Sequence, residues 1–179
     1  MVGLKICFQT LLLLGVGALY GAPTGTLVYT EAARFSASGE RFPDGARLMI
    51  VSSGAPRALV PGFAASAEAA VSFDGKRVLF AGKEKSGGPW QVWEVDFEGG
   101  APRRVTTGDE DCLRPFYLPD NKLVYSRRIP QGFELEIAPL AGGAPLRVTY
   151  DRGDHFATDV LADGRILFDG PHASAGRDR

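Results

Sequence analysis

The chain has 179 residues, with 20 Lys and Arg against 21 Asp and Glu and a formal charge of −1, so it has no basic excess to attract nucleic acid or an anionic membrane. Its 45% hydrophobic and 23% charged residues are those of a globular protein rather than a disordered one. With 23 Gly and 12 Pro and no long helical pattern, the chain is read as all-β.

Residues 1–22 read as a secretory signal peptide: Lys5 precedes the apolar stretch at 11–19, and small residues follow at Gly21 and Ala22. That stretch is shorter than the ~20 residues a membrane helix requires, so no stable membrane span is expected and the mature chain is read as exported. Cys7 lies ahead of the apolar core, where it cannot accept a lipid. Loss of this segment leaves Cys112 as the single thiol, which excludes an intramolecular disulfide in the mature chain.

Three stretches then carry one hairpin pattern: 73–80 (FDGKRVLF), 119–125 (PDNKLVY) and 162–168 (ADGRILF), their turn aspartates 46 and 43 positions apart. A second marker keeps step, since Gly54-Ala55-Pro56-Arg57, Gly100-Ala101-Pro102-Arg103 and Gly143-Ala144-Pro145-Leu146 are also 46 and 43 apart. A period of ~40–50 with several short strands per unit is the signature of a propeller blade. Asp74-Gly75, Asp120-Asn121 and Asp163-Gly164 supply the positive-φ positions of a tight hairpin. The following Val78-Leu79-Phe80, Leu123-Val124-Tyr125 and Ile166-Leu167-Phe168 predict strands covered on both faces. Residues 90–96 and 134–138 alternate polar with apolar and predict strands nearer the rim. Arg103, Arg104 and Arg147 head the outermost strands, where charge discourages edge pairing.

Sorted by this unit, residues 23–62 form a partial first blade with a polar excursion at 31–46. Residues 63–108 and 109–152 form a second and a third blade, and 153–179 a partial fourth with a tail. The expected fold is therefore all-β: about three to three and a half four-stranded antiparallel blades, too few to close a ring of ~4–8. Bare apolar faces on the terminal blades predict either a longer parent protein, the favoured reading, or self-association through those faces.

Residues 73–80, the later Gly99-Gly100-Ala101-Pro102-Arg103-Arg104-Val105-Thr106 and the spacing between them resemble the TolB-type, WD-like β-propeller repeat. In that family a Ser-Pro-Asp-Gly-Lys turn precedes a strand and a Gly-Gly turn precedes Arg-Leu-Thr. The resemblance covers residues 47–169. This chain has Ser72-Phe73 in place of Ser-Pro, keeps only the Pro at Leu118-Pro119, and has neither at Ala162. The resemblance implies periplasmic work with envelope partners. Similar repeats also form the gating propeller of prolyl-oligopeptidase-like peptidases and domains of multi-domain redox proteins, whose catalytic part would then lie beyond Arg179.

Asp111-Cys112 and Asp154-His155 both begin nine positions before a turn aspartate, which places them on loops entering the innermost strands. They are expected to be partly exposed on one rim of the channel, where Cys112 and His155 could act as metal ligands or as a thiol beside an imidazole. Two ligands do not complete a zinc sphere, and neither metal nor cofactor is expected. With Glu110 and Asp151, the residues Asp109, Asp111 and Asp154 form an acidic rim on the same loops. Asp109, Asp111, Cys112, Asp154 and His155 are thus the candidate rim residues for a protein or peptide partner, beside the plainer reading of solvated Asx turns. Trp90, Trp93, Phe97, Phe116 and Tyr117 read as blade packing rather than a sugar platform. No Gly-x-Ser-x-Gly elbow, phosphate loop, His-Glu-x-x-His or Cys-x-x-Cys occurs. The expected function is that of a non-catalytic binding or scaffold module.

Overall fold

Four antiparallel sheets succeed one another along the chain in a computed structural model that describes residues 25–36, 41–52 and 54–171. The expected signal peptide at 1–22 and the tail from His172 lie outside these residues. The first sheet holds β1 (Leu27–Glu31), β2 (Arg47–Val51) and β3 (Arg57–Ala58), in that order. The second holds β4 (Ala65–Val71), β5 (Arg77–Lys83), β6 (Gln91–Asp96) and β7 (Arg103–Arg104). The third repeats this order with β8 (Cys112–Leu118), β9 (Lys122–Ile129), β10 (Gly132–Pro139) and β11 (Leu146–Arg147). A two-residue strand, β12 (Gly153–Asp154), runs parallel to the start of β10. The last sheet is the pair β13 (Phe156–Val160) and β14 (Ile166–Asp169). No helix among the described residues is long and apolar enough to cross a membrane. The fold is all-β, an incomplete ring of propeller blades.

Local turn chemistry explains why the hairpins recur. Gly75 and Gly164 take φ values of +70° and +84°, and Asp120 and Asn121 take +60° and +55°, conformations that favour Gly and tolerate Asp or Asn. In the second sheet the Ser72 hydroxyl donates to the Asp74 carboxylate at 2.6 Å while Lys76 N–H donates to the same oxygen at 3.1 Å. These bonds hold the Asp74 carboxyl below its ordinary range, the Ser72 bond foremost.

In the second and third sheets the strand after the turn is covered from both sides because successive side chains point to opposite faces. By contrast β14, expected to be covered likewise, leaves Leu167 and Phe168 exposed because no sheet follows it among the described residues. Val78 and Phe80 pack with Leu48, Ile50 and Val60 of the first sheet's region, whereas Leu79 joins Cys112, Leu123 and Tyr125 of the third. One sheet further on, Val124 meets Leu118, Leu135 and Ala157. The innermost strands β4, β8 and β13 touch in succession, which sets the channel side of the blades.

The third strands differ from expectation. Rather than alternating toward a rim, β6 is buried from Gln91 to Val95 and β10 from Phe133 to Glu136. Their carboxylates are accommodated by cations and hydroxyls from adjacent strands, as buried charge requires. Glu94 is paired with Arg77 at 3.3 Å and Arg103 at 2.5 Å, and it accepts the Tyr117 hydroxyl of the next sheet at 3.0 Å. Glu136 accepts Tyr125 at 2.5 Å and Arg127 at 2.8 Å. The arginines of the outermost strands are therefore more than edge charges. Arg103 also donates to the Leu140 carbonyl of the next sheet at 2.8 Å, and Arg147 pairs with Glu134 at 2.6 Å.

The Val-Thr that ends each outer strand has a structural role as well. Val105 and Val148 donate to the Val92 and Leu135 carbonyls, and the Thr106 and Thr149 hydroxyls accept the Val92 and Leu135 N–H groups at 2.9 Å. The first sheet has Val60 at the equivalent place, and there the Ser66 hydroxyl of the next sheet accepts the Leu48 N–H instead, at 2.9 Å.

Candidate binding site at the channel mouth

Eight residues before each turn aspartate lie Ser66, Cys112 and His155. Their backbone N–H groups donate to the carbonyls of Ala46, Trp90 and Phe133, at 2.9, 2.8 and 2.8 Å, which latches each inner strand to the preceding sheet. This is the position where Cys112 and His155 were expected to be partly exposed. Both are instead buried, Cys112 at 0% and His155 at 2% exposure, because a blade-to-blade latch sits between two sheets. Burial pushes the Cys112 thiol up to about 11, so it stays protonated at neutral pH. His155 Nδ1 lies 3.2 Å from the Phe133 carbonyl, inside the same latch. Among the described residues no group of three or more His, Cys, Asp and Glu side chains could hold a metal ion.

The acidic residues divide. Asp111 accepts the Trp90 N–H at 2.9 Å and Arg128 Nε at 2.9 Å, which ties the second sheet to the third. Glu110 pairs with Arg127 at 3.3 Å. Asp109 is exposed on its loop. Asp154 is also exposed, and it lines a cavity of about 330 Å³ together with Arg41, Arg114, Phe156 and Asp169.

The cavity contains two residues, Arg41 and Arg114, that sequence reasoning did not single out. Two positions after the latch, the inner strands bulge: the β4–β5 register shifts between Ala67 and Ala70, and the β8–β9 register between Leu113 and Phe116. Glu68 and Arg114 sit in these bulges with φ of +57° and +51°. Bulges re-aim side chains, and strained non-Gly residues of this kind concentrate at functional sites. Here the two side chains meet between neighbouring blades. Glu68 accepts the Arg114 backbone N–H at 2.8 Å, while the nearest approach of its carboxylate to Arg114 Nε is 3.7 Å. That separation is beyond hydrogen-bond range. The Arg114 guanidinium lies 3.8 Å above the Phe156 ring centroid, and its buried Nε, like that of Arg41, has no hydrogen-bond partner. Burial, and secondarily the charge of Arg41, lowers the Arg114 guanidinium to about 10 despite Glu68, Asp169 and Asp154 nearby. Burial also holds the Glu68 carboxyl above its usual range. A signal for this pair was present in the sequence: Glu68 and Arg114 are opposite charges one repeat period apart, on strands that are otherwise mostly small or apolar.

These blades define a TolB-like β-propeller fold with an open ring. No family model matches the chain. A solved hydrazine synthase chain of Kuenenia stuttgartiensis superposes with a TM-score of 0.71 and 19% identity, covering 82% of this chain and 28% of that one. TolB of Acinetobacter baumannii superposes at 0.61 with 16% identity over 84% of this chain and 36% of its own. A puromycin-hydrolyzing peptidase of Mycobacterium tuberculosis gives 0.59 and 21% identity over 82% and 26%. In sequence, 104 residues are 28% identical to hydrazine synthase subunit alpha of Kuenenia stuttgartiensis, which is 53% of this chain and 13% of that relative's length.

Proposed function

We propose that the chain is the blade-bearing part of an exported, non-catalytic propeller that binds a protein or peptide partner. Its binding surface is the channel mouth and the rim loops that carry Asp109 and Asp154. The observation that carries this reading is the cavity beside Arg114: it presents charged groups and an aromatic ring, with no nucleophile paired to a base. The TolB-like fold supports it. Two tests apply to the full chain. Residues 1–22 fused to alkaline phosphatase should give activity in the periplasm of an expressing bacterium. A peptide selected by display against the purified chain should bind saturably and more weakly to the Asp154→Asn variant. A fusion active only after cell lysis would refute export, and failure to enrich any peptide would refute the binding module.

A second reading has its own support. The chain spans 28% of the hydrazine synthase chain and 26% of the peptidase, so it also suits a propeller domain of a larger enzyme. Coding sequence downstream of Arg179 with a serine-hydrolase elbow or haem-attachment motifs would favour that reading.

A further inference from the structure

We infer that the cavity between Arg41, Arg114, Asp154 and Asp169 is a receptor for a small zwitterion, an amino acid or short peptide whose carboxylate and ammonium groups are both free. The inference rests on the binding-module reading and specifies what the channel mouth takes.

Arg114 is 95% buried, with a side-chain exposure of 5%, yet no carboxylate oxygen lies within hydrogen-bond distance of its guanidinium. A buried cation whose nearest carboxylate oxygen is 3.7 Å away, with Asp154 and Asp169 farther off and an aromatic face beside it, is under-compensated, since burial is costly unless hydrogen-bonded counter-charge replaces water. Arg41, whose buried Nε also lacks a partner, lines the same cavity. Two guanidiniums on one cavity offer the planar fork geometry that carboxylates match. Asp154 and Asp169 line that cavity too, and both are exposed. They oppose a simple anion such as phosphate and complement a positive group on the same ligand. The volume of about 330 Å³ is at the small end of ligand pockets and suits a molecule of one or two residues.

The test titrates the full chain with the dipeptide Ala-Ala and three controls: N-acetyl-Ala-Ala, Ala-Ala amide and inorganic phosphate. Ala-Ala should bind saturably by calorimetry, and each blocked form should bind at least about tenfold more weakly, the loss expected for one charge-assisted bond. Phosphate should not compete. Arg41→Gln should weaken Ala-Ala by about tenfold and leave the amide unchanged. Asp154→Asn should abolish discrimination between the free and acetylated forms. Arg114→Lys, which keeps the charge and loses the fork, covers the case in which larger changes at this buried site disrupt folding. Equal binding of the free and blocked dipeptides would overturn the inference, as would absence of binding to folded protein up to about 10 mM. If a display-selected peptide still binds in either case, only this inference fails; if that peptide does not bind either, the binding-module reading fails with it.

Discussion

The inner blades and the last half-blade carry the same strand pattern with different outcomes. Val78, Leu79 and Phe80 of β5 are fully buried, and Leu123, Val124 and Tyr125 of β9 nearly so, whereas Leu167 and Phe168 of β14 are 45% and 48% exposed. All three strands follow a turn built on Asp-Gly or Asp-Asn, and all three pair antiparallel with the strand before them. The difference lies in their neighbours. β5 and β9 each have a third strand at their edge and a sheet on either face, while β14 has neither a third strand nor a following sheet among the described residues. An apolar triplet thus encodes the capacity to be covered, and the covering is supplied by the next repeat.

The largest expected effect tests this contrast directly. Phe80→Ala removes a ring packed edge-on against Phe63 at 5.3 Å and should cost about 3–5 kcal/mol in urea unfolding. The equivalent Phe168→Ala should cost less than about 1 kcal/mol. Equal losses would mean that β14 is covered in solution, by a second copy of the chain.

Next in size is the buried charge of the inner blades. Glu94→Gln withdraws counter-charge from Arg77 and Arg103 and a charged acceptor from the Tyr117 hydroxyl, and should cost about 2–3 kcal/mol, because the two arginines retain some access to water. Asp163→Asn, which breaks only the exposed pair with Arg165, should change stability by less than about 0.5 kcal/mol. A Glu94→Gln variant as stable as the parent would show that the network does not join the blades.

The turns sharpen the comparison further. Gly75→Val and Gly164→Val impose the same backbone strain, about 1–3 kcal/mol for a β-branched residue at positive φ; an added Cβ meets nothing at Gly75 and only the Pro119 ring, at an ordinary 3.5 Å, at Gly164. The first should lower the global unfolding midpoint. The second should act mainly on hydrogen exchange of β13 and β14, since a half-blade can open locally. An unchanged melting curve for Gly75→Val would mean that the hairpin does not require a left-handed residue.

The smallest effect is a pH dependence. Asp44 is held below the ordinary carboxylate range by the Ser86 hydroxyl first and by Lys83 next, and so links the turn before β2 to the second sheet. A lowered folded-state value stabilises the protein above the ordinary carboxylate pKa, and that contribution is lost as pH falls through the folded value. Because Asp44 is more than one-third exposed, the expected contribution is below about 1 kcal/mol. Comparing acid unfolding of the parent with Asp44→Asn measures it, and parallel curves would show that the link is not used.

Some of the site was written in the sequence, and some was not. The repeat places Cys112 and His155 at corresponding positions, and the structure keeps them there; what the pattern lacks is the latch to Trp90 and Phe133 that removes both from solvent. The alternation in β6 suggested a rim strand because the partners that allow Glu94 to be buried are 9 and 23 residues away, at Arg103 and Tyr117. The opposite charges of Glu68 and Arg114 stand one repeat period apart in the sequence, but the direction of Arg114 could not be read from it: a bulge shifts side-chain direction by one residue, so period-2 counting fails where the strand faces the channel.

By itself the sequence determined the turns, the order of strands and the blade period, since φ sterics at Asp-Gly and alternation along a strand act within a few residues. Only the tertiary structure decided which faces are covered, that Cys112 and His155 are buried, and that Arg114 and Arg41 share one cavity. Burial and electrostatic pairing depend on what the neighbouring sheet brings, and a strand cannot specify that alone.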